Sequence, residues 1–329
     1  MKKILITGGA GYIGSHTVVE LIAAGYNPII VDNLCNTSTQ NIEGIEKIIG
    51  KKIKWHNSDC TNKIAMDKVF DEEGEMEGVI HFAAYKSVEE SVQNPQKYYD
   101  NNIGSLEVIL ESMRENNVKN IIFSSSCTVY GSPDILPVTE NSPFKKAESP
   151  YGETKQICEG MLKEDSCNSA ALRYFNPIGS HSSALIGDRC ADKPSNLVPI
   201  ITEVAIGKRK KITVFGNNYN TPDGTCIRDY IHVVDLAKSH VKAMNFLITN
   251  PGKHAFNVGT GIGVSVLDAI KAFEQTNKLS INYSIGPKRD GDIEQIYANN
   301  SLVKEKLGWE AKETLHQAMI SAWSWEKLK

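Results

Sequence analysis

The sequence predicts an α/β protein, a doubly wound parallel sheet with a smaller mixed α/β lobe. Three observations carry that expectation. Short apolar runs alternate with helical patterns through the first half of the chain, which specifies parallel strands joined by right-handed crossovers that cover both faces of a sheet. A glycine-rich turn joins the first strand to the first helix. With 329 residues the chain also exceeds a typical single domain, which leaves room for an appended lobe.

Residues 3–6 read as a short buried strand, followed by TGGAGYIGSH over 7–16 and an apolar helical pattern through Val18, Leu21 and Ile22. Gly8, Gly11 and Gly14 recur every third residue, and Gly9, Gly11 and Gly14 also satisfy G-x-G-x-x-G. Such glycines permit a tight turn and close approach of backbone to a pyrophosphate, while the helix start supplies N–H donors and positive dipole. A glycine pattern alone is often just a turn. Strand before and helix after make this one the signature of a Rossmann-type dinucleotide-binding sheet.

A second strand, 29–31, ends at Asp32, close to where a carboxylate accepts hydrogen bonds from the adenosine ribose. An acid there repels a 2′-phosphate and favours NAD over NADP. The polar run 33–41 reads as loop, and a third strand, 53–56, has Asp59 beyond its end, a plausible partner for the adenine amino group. A helical segment follows over 63–70. The fourth strand, 78–84, runs into Ala83 and Ala84, small residues that let a cofactor lie close at the carboxyl edge of the sheet. His81, inside that apolar strand, reads as a core histidine with a satisfied hydrogen bond.

Residues 95–117 read as one long helix with Asn101 and Asn102 in its first half; asparagine suits a helix interior poorly and invites a local or functional explanation. The fifth strand, 120–123, ends in Ser124, Ser125 and Ser126, whose hydroxyls either reach the same crevice or merely form a turn.

Next comes SPYGETK over 149–155. Pro150 helps start a helix there. Tyr151 and Lys155 then share a face, and an ammonium beside a phenol lowers its pKa toward the range of a general base. A Tyr-x-x-x-Lys spacing is expected about once by chance in a chain with 12 tyrosines, so the alternative is a solvated pair on a surface helix.

In the second half, 170–173 reads as a strand, 176–194 as irregular, 197–206 as a helix, 212–215 as a strand, and 235–245, 264–275 and 314–328 as amphipathic helices. Lys208 to Lys211 reads as a solvated basic helix end.

The chain is 41% hydrophobic and 23% charged, with a formal charge of −3. That composition fits a soluble globular protein and offers no electrostatic reason to expect nucleic acid or membrane as a partner. The seven cysteines, at 35, 60, 127, 158, 167, 190 and 226, lack C-x-x-C spacing. They indicate no disulfide framework and no metal site, and fit reduced thiols in a cytoplasmic protein. The apolar run after Met1-Lys2-Lys3 is too short for a signal peptide, and no stretch approaches the ~20 apolar residues of a membrane span.

TGGAGYIGSH, HFAAYKSVEES, YYDNN, FSSSCTVYG, SPYGETK, LRYFNPIG and RDYIHVVDLA, in that order, resemble extended short-chain dehydrogenases/reductases and, within them, the UDP-galactose (UDP-glucose) 4-epimerases. The likeness runs nearly end to end. It implies reversible 4-epimerisation of UDP-galactose and UDP-glucose with tightly bound NAD. Tyr151 would be the base, Lys155 its tuner and ribose anchor, and Ser126 a proton-relaying hydroxyl. Gly8, Gly11, Tyr12, Ile13, Gly14, Asp32, Asn33, Asn36, Asp59, Cys60, Phe82, Ala83, Ala84, Lys86, Asn101 and Phe175 would join these three around NAD.

By the same resemblance Tyr174, Asn176, Asn196, Leu197, Phe215, Tyr230 and Asp292, together with Lys86, Ser126 and Tyr151, would line the UDP-hexose pocket. Arg228 and Arg289 would hold the diphosphate, a role suited to guanidinium forks, although a lone arginine is more often a surface ion pair. Ile296 would gate the sugar, its intermediate size leaning toward plain hexose. Related 4,6-dehydratases carry an Asp-Glu pair where this chain has Cys127 and Thr128, which disfavours dehydration.

The resemblance also implies an NAD-binding Rossmann domain over 1–175, receiving about 229–257, a UDP-sugar lobe over 176–329 interleaved with it, and a homodimer. Competing expectations are a UDP-N-acetylglucosamine or UDP-glucuronate epimerase, a decarboxylase, a dehydrogenase using external coenzyme, and a non-catalytic NAD-binding sensor.

Overall fold

The computed structural model describes residues 1–189, 194, 196–289 and 292–329; Cys190 and the end of the stretch read as irregular, 190–193, lie outside them. The first half supplies β1 (Lys3–Thr7), β2 (Asn27–Asp32), β3 (Trp55–Asn57), β4 (Gly78–His81), β5 (Asn120–Ser126) and β6 (Asn168–Tyr174). Then follow β7 (Asn176–Ile178), β8 (Ile212–Phe215), β9 (Ile227–His232), β10 (Lys253–Val258), β11 (Gly263–Ser265), β12 (Tyr283–Gly286) and β13 (Gln295–Ile296).

A seven-stranded sheet has the order β10-β6-β5-β4-β1-β2-β3, and every pairing in it is parallel. This is the Rossmann strand order with one strand added. The order reverses between β1 and β4, which opens a crevice at their carboxyl ends. Both faces of the sheet are buried, so the strands read as continuous apolar runs. Ile4 and Ile6 pack in a cluster with Val18, Leu21, Leu236 and Met244, while Leu5 points the other way into a cluster with Phe70, Leu106 and Leu162.

The second lobe groups β7, β11 and β13 around β9 and pairs β8 with β12, over its own core of Ile201, Ile270, Phe273 and Met319. β10 returns to the main sheet after the helix Val233–Thr249, whose Leu236 and Met244 share the first-half core. The two halves therefore interleave.

Several sequence readings need correction. The helix expected over 95–117 is interrupted: Pro95–Tyr98 and Gly104–Glu115 are α-helical, but Tyr99–Ile103 forms a π-turn that contains both asparagines. Residues 176–178 are a strand, because they pair with Tyr230, Ile231 and His232 of β9. The helix read from 264 starts at Val266, the preceding residues pairing with β9. The basic run lies beyond a helix that ends at Ala205, and it is not simply solvated: Lys208 pairs with Glu326 at 2.7 Å and Arg209 with Glu203 at 3.0 Å. Among the described residues, the remaining cysteines are free thiols, no cluster could hold a metal, and no helix is long and apolar enough to cross a membrane.

His81 is a core residue as expected, its Nδ1 2.8 Å from the Thr7 hydroxyl. It is one of four histidines that burial keeps neutral. His16 and His81 are held down to about 3, and His232 and His240 to about 4. Each native pKa lies below the unfolded value, so the unfolded chain binds more protons across the interval. Stability is accordingly full above about pH 6.5 and falls as pH drops toward 4, by up to about 1.4 kcal/mol per pH unit for each group. Urea midpoints measured at pH 7.5, 6 and 5 should fall steeply; a flat series would show that these imidazoles accept protons in the native state.

Candidate active site

The crevice between β1 and β4 opens into a cavity of about 600 Å³. Its floor is the glycine turn. Gly8 has φ +69°, and a Cβ there would stand 2.8 Å from Ala83 N, so a side chain would push β1 from β4. A Cβ on Gly14 would meet the Gly8 carbonyl at 2.3 Å. The helix Tyr12–Ala23 starts behind an extended Gly11 with no side-chain cap, which leaves its first amides available to an anion.

At the end of β2, Asp32 accepts from Ala10 N at 3.0 Å and Leu34 N at 2.9 Å, tying the glycine turn to the next loop. Burial pushes its carboxyl up, against those two bonds. Asn33 donates to Asp59 at 2.9 Å. Although burial opposes it, the hydrogen bonds from Thr61 and Asn33 hold Asp59 below the usual carboxylate range.

The π-turn explains the paired asparagines. Asn102 is buried, accepts from Tyr85 N at 2.8 Å, and donates to Tyr85 O at 3.1 Å and Thr154 Oγ1 at 3.2 Å. One amide thus fastens the loop after β4 to the helix that carries Tyr151 and Lys155, while Asn101 lines the cavity. An inserted residue of this kind is a usual means of re-aiming side chains at a functional site.

That helix, Pro150–Glu164, has Pro150 in its first turn, and its cap Ser149 accepts from Gly152 N at 3.2 Å. Tyr151 and Lys155 both line the cavity beside Ser124 and Ser126. Lys155 is 3% exposed and donates to the Ser124 carbonyl at 2.8 Å. Its Nζ lies 4.8 Å from the centre of the Phe123 ring and 5.8 Å from that of Tyr151. Burial holds its ammonium down to about 8. Burial also pushes the Tyr151 phenol up to about 12, with the Ser126 hydroxyl working the other way. In the protein alone burial therefore dominates at Tyr151, and the positive charge that opposes it is that of Lys86.

All the residues expected at the cofactor line this one cavity, together with Tyr174, Asn176 and Asn196. The remaining substrate candidates lie outside it. Tyr230 is placed beside Asn176, and Arg228 beside Ile296, by strand register. Arg228 donates to its neighbour's carbonyl, Ile227 O, at 2.9 Å. Ile296 is 2% exposed, in an apolar cluster with Cys127 and Phe175. Leu197 begins a helix packed on the second-lobe core. Arg289 stacks over Phe215 at 4.5 Å and forms a two-pronged pair with Asp292 at 3.0 Å, so fork and acid already neutralise one another.

Sequence reasoning missed Tyr85, Asp188 and Arg189, which also line the cavity. The last two fall in the irregular stretch after β7, where charged residues among Gly and Ser were the only signal.

The family described as GDP-mannose 4,6 dehydratase matches residues 5–321. A UDP-glucose 4-epimerase of Dictyostelium discoideum is 48% identical over 99% of this chain and 96% of its own, and one of Bacillus subtilis is 45% identical over 98% and 96%. The structure of a Bifidobacterium longum UDP-glucose 4-epimerase in complex with NAD+ and UDP superposes with a TM-score of 0.95 at 44% identity, covering 99% of this chain and 98% of that one. The chain belongs to the UDP-glucose 4-epimerase family.

The matching family takes its description from a dehydratase, but the cavity lacks the acidic pair that dehydration needs. Cys127 and Thr128 line it just beyond Ser126, where an eliminating enzyme needs an acid and a base. Burial pushes the Cys127 thiol up to about 12, so it serves as neither at neutral pH.

Proposed function

We propose that the protein interconverts UDP-galactose and UDP-glucose through a 4-keto sugar, with NAD held throughout the cycle. The observation that carries this reading is the convergence of Ser126, Tyr151 and Lys155 on the cavity that also contains the glycine turn, Asp32 and Asp59. The residues present suit a dinucleotide: uncapped amides and Lys86 for the diphosphate, Asp32 and Asp59 for the adenosine, and Lys155 for the nicotinamide ribose. When bound, NAD supplies a positively charged ring that takes hydride from C4 and returns it to the other face.

The chain's own part is proton transfer and grip. Tyr151, relayed by Ser126, takes the proton of the 4-hydroxyl and gives it back after the sugar has turned. Because burial keeps the phenol protonated in the protein alone, it becomes a base only when positive charge lies beside it. Lys155 contributes one such charge at neutral pH. Arg228 and Arg289 grip the nucleotide diphosphate, with Arg289 exchanging its carboxylate partner Asp292 for phosphate oxygens, and Asn176, Asn196, Leu197, Phe215, Tyr230 and Asp292 line the remainder.

The division of labour follows the interleaved sequence ranges, 1–175 with about 229–257 for NAD and 176–329 for the UDP-sugar. Exposed Val88, Val92 and Ile157, on neighbouring helices, support a homodimer. The free buried thiols support a cytoplasmic location.

Purified protein given UDP-galactose without added NAD should form UDP-glucose, read by chromatography of the nucleotide sugars. No product from protein that demonstrably carries NAD would overturn the assignment. Accumulation of NADH would indicate a dehydrogenase instead.

A further inference from the structure

The segment Gly179–Arg189, which follows β7, folds back from the second lobe across the mouth of the cofactor cavity. It is seated at several points. The Tyr12 hydroxyl donates to Gly179 O at 2.6 Å, Asn41 donates to Gly187 O at 3.4 Å, and Trp325 Nε1 donates to Asp188 O at 3.3 Å. Two glycines make the fit possible: a Cβ on Gly44 would lie 2.2 Å from Leu185 O, and one on Gly187 would lie 2.4 Å from the Trp325 ring. On the cavity side Asp188 reaches Lys86, of the loop after β4, at 3.6 Å.

Arg189 ends this strap. It lines the cavity and is held from two sides, its guanidinium 4.5 Å from the centre of the Trp325 ring and its Nη1 donating to Gln40 Oε1 at 2.6 Å. Both contacts fix the fork without neutralising it. Among the described residues Arg189 makes no ion pair with a carboxylate; Glu43 acts on it only through space. Its Nε is buried with no hydrogen-bond partner, a state that native structures seldom leave without a reason. A half-buried, pre-oriented guanidinium without a counter-ion, set in a cavity with an uncapped helix start, is built to receive an anion.

We propose that Arg189 binds phosphate oxygens of the dinucleotide diphosphate, so that the strap from the second lobe both covers the cofactor and slows its escape. The inference rests on the reading of the cavity as an NAD site. Phosphate chemistry alone would equally fit the diphosphate of the nucleotide sugar, and the measurements below separate the two.

The test compares wild type with Arg189→Met and with the milder Arg189→Lys, which keeps the charge but loses the fork. The rate at which bound NAD exchanges with labelled NAD is the first readout, the affinity for UDP by calorimetry the second, and the urea midpoint the third. Loss of a charge-assisted hydrogen bond should speed NAD exchange roughly 10- to 100-fold in Arg189→Met, less in Arg189→Lys, with UDP affinity unchanged in both. An unchanged exchange rate overturns the proposal, whether or not the urea midpoint falls, since Arg189 would then only brace Trp325. A selective loss of UDP affinity overturns it in favour of the substrate's diphosphate. Wild-type protein that holds no NAD at all would instead sink the reading of the cavity itself.

Discussion

Tyr151→Phe should purify with its NAD in place and turn over UDP-galactose about 10³-fold more slowly than wild type, within the 10²- to 10⁴-fold range of positioned acid–base groups. The substitution removes one oxygen from a half-buried ring and leaves the wall of the cavity otherwise as it is, so binding and folding are expected to survive. Turnover from single-time-point chromatography, and NAD released on denaturation, are the two quantities to compare. Turnover that stays within a few-fold of wild type would show that another group moves the 4-hydroxyl proton. The size of the effect follows from the site: Ser126 alone has no group beside it able to hold the proton, because Cys127 is a buried neutral thiol and Lys155 is already committed to the Ser124 carbonyl.

The second large effect is on stability. Arg173 of β6 and Glu159 of the Tyr151 helix are 3% and 2% exposed. Arg173 Nε donates to Glu159 Oε1 at 2.9 Å and its Nη2 to Oε2 at 2.6 Å. Its Nη1 donates to the Tyr130 hydroxyl and to Glu140 O, each at 3.0 Å, and Ser125 donates to Glu159 at 2.6 Å. Tyr130 passes the connection on to Asn257 of β10. Arg173→Met leaves a buried carboxylate without its partner and should cost about 3–5 kcal/mol, seen as a lower midpoint in chemical denaturation. Adding Glu159→Leu should recover part of that loss, because the stranded charge is then gone. A double variant no better than the single one would place the cost in lost packing over Phe144 and Tyr130, which the guanidinium covers at 4.7 and 5.3 Å.

Much of this was legible in the sequence because it is local. The glycine turn, Asp32 at the end of a strand, and Tyr151 with Lys155 on one helical face each follow from a few neighbouring residues, and the structure puts them around one cavity. Even the irregularity at Asn101 and Asn102 announced itself, as two poor helix residues in the middle of a helical pattern. What could not be read depends on contacts distant in sequence. The upward pull on the Tyr151 phenol comes from surroundings that the whole fold assembles, which no i,i+4 spacing reports. The setting of Arg189 between Trp325 and Gln40 likewise exists only once the two halves have folded together. β7 was missed because its three residues are too few for periodicity to show, and it is a strand only by virtue of β9.

Only Phe175 stands between the end of β6 and the start of β7. The chain passes from one sheet to the other within the active site itself, with Tyr174 on one side and Asn176 on the other, and a single residue gives no slack for a swinging joint. On the proposed mechanism, this junction is a poor hinge for the turn of the keto sugar, which points to torsions of the bound nucleotide sugar itself. A cleft that must serve both epimers in turn gains nothing by gripping one hexose harder, because tight uniform binding adds nothing to the rate once substrate saturates it.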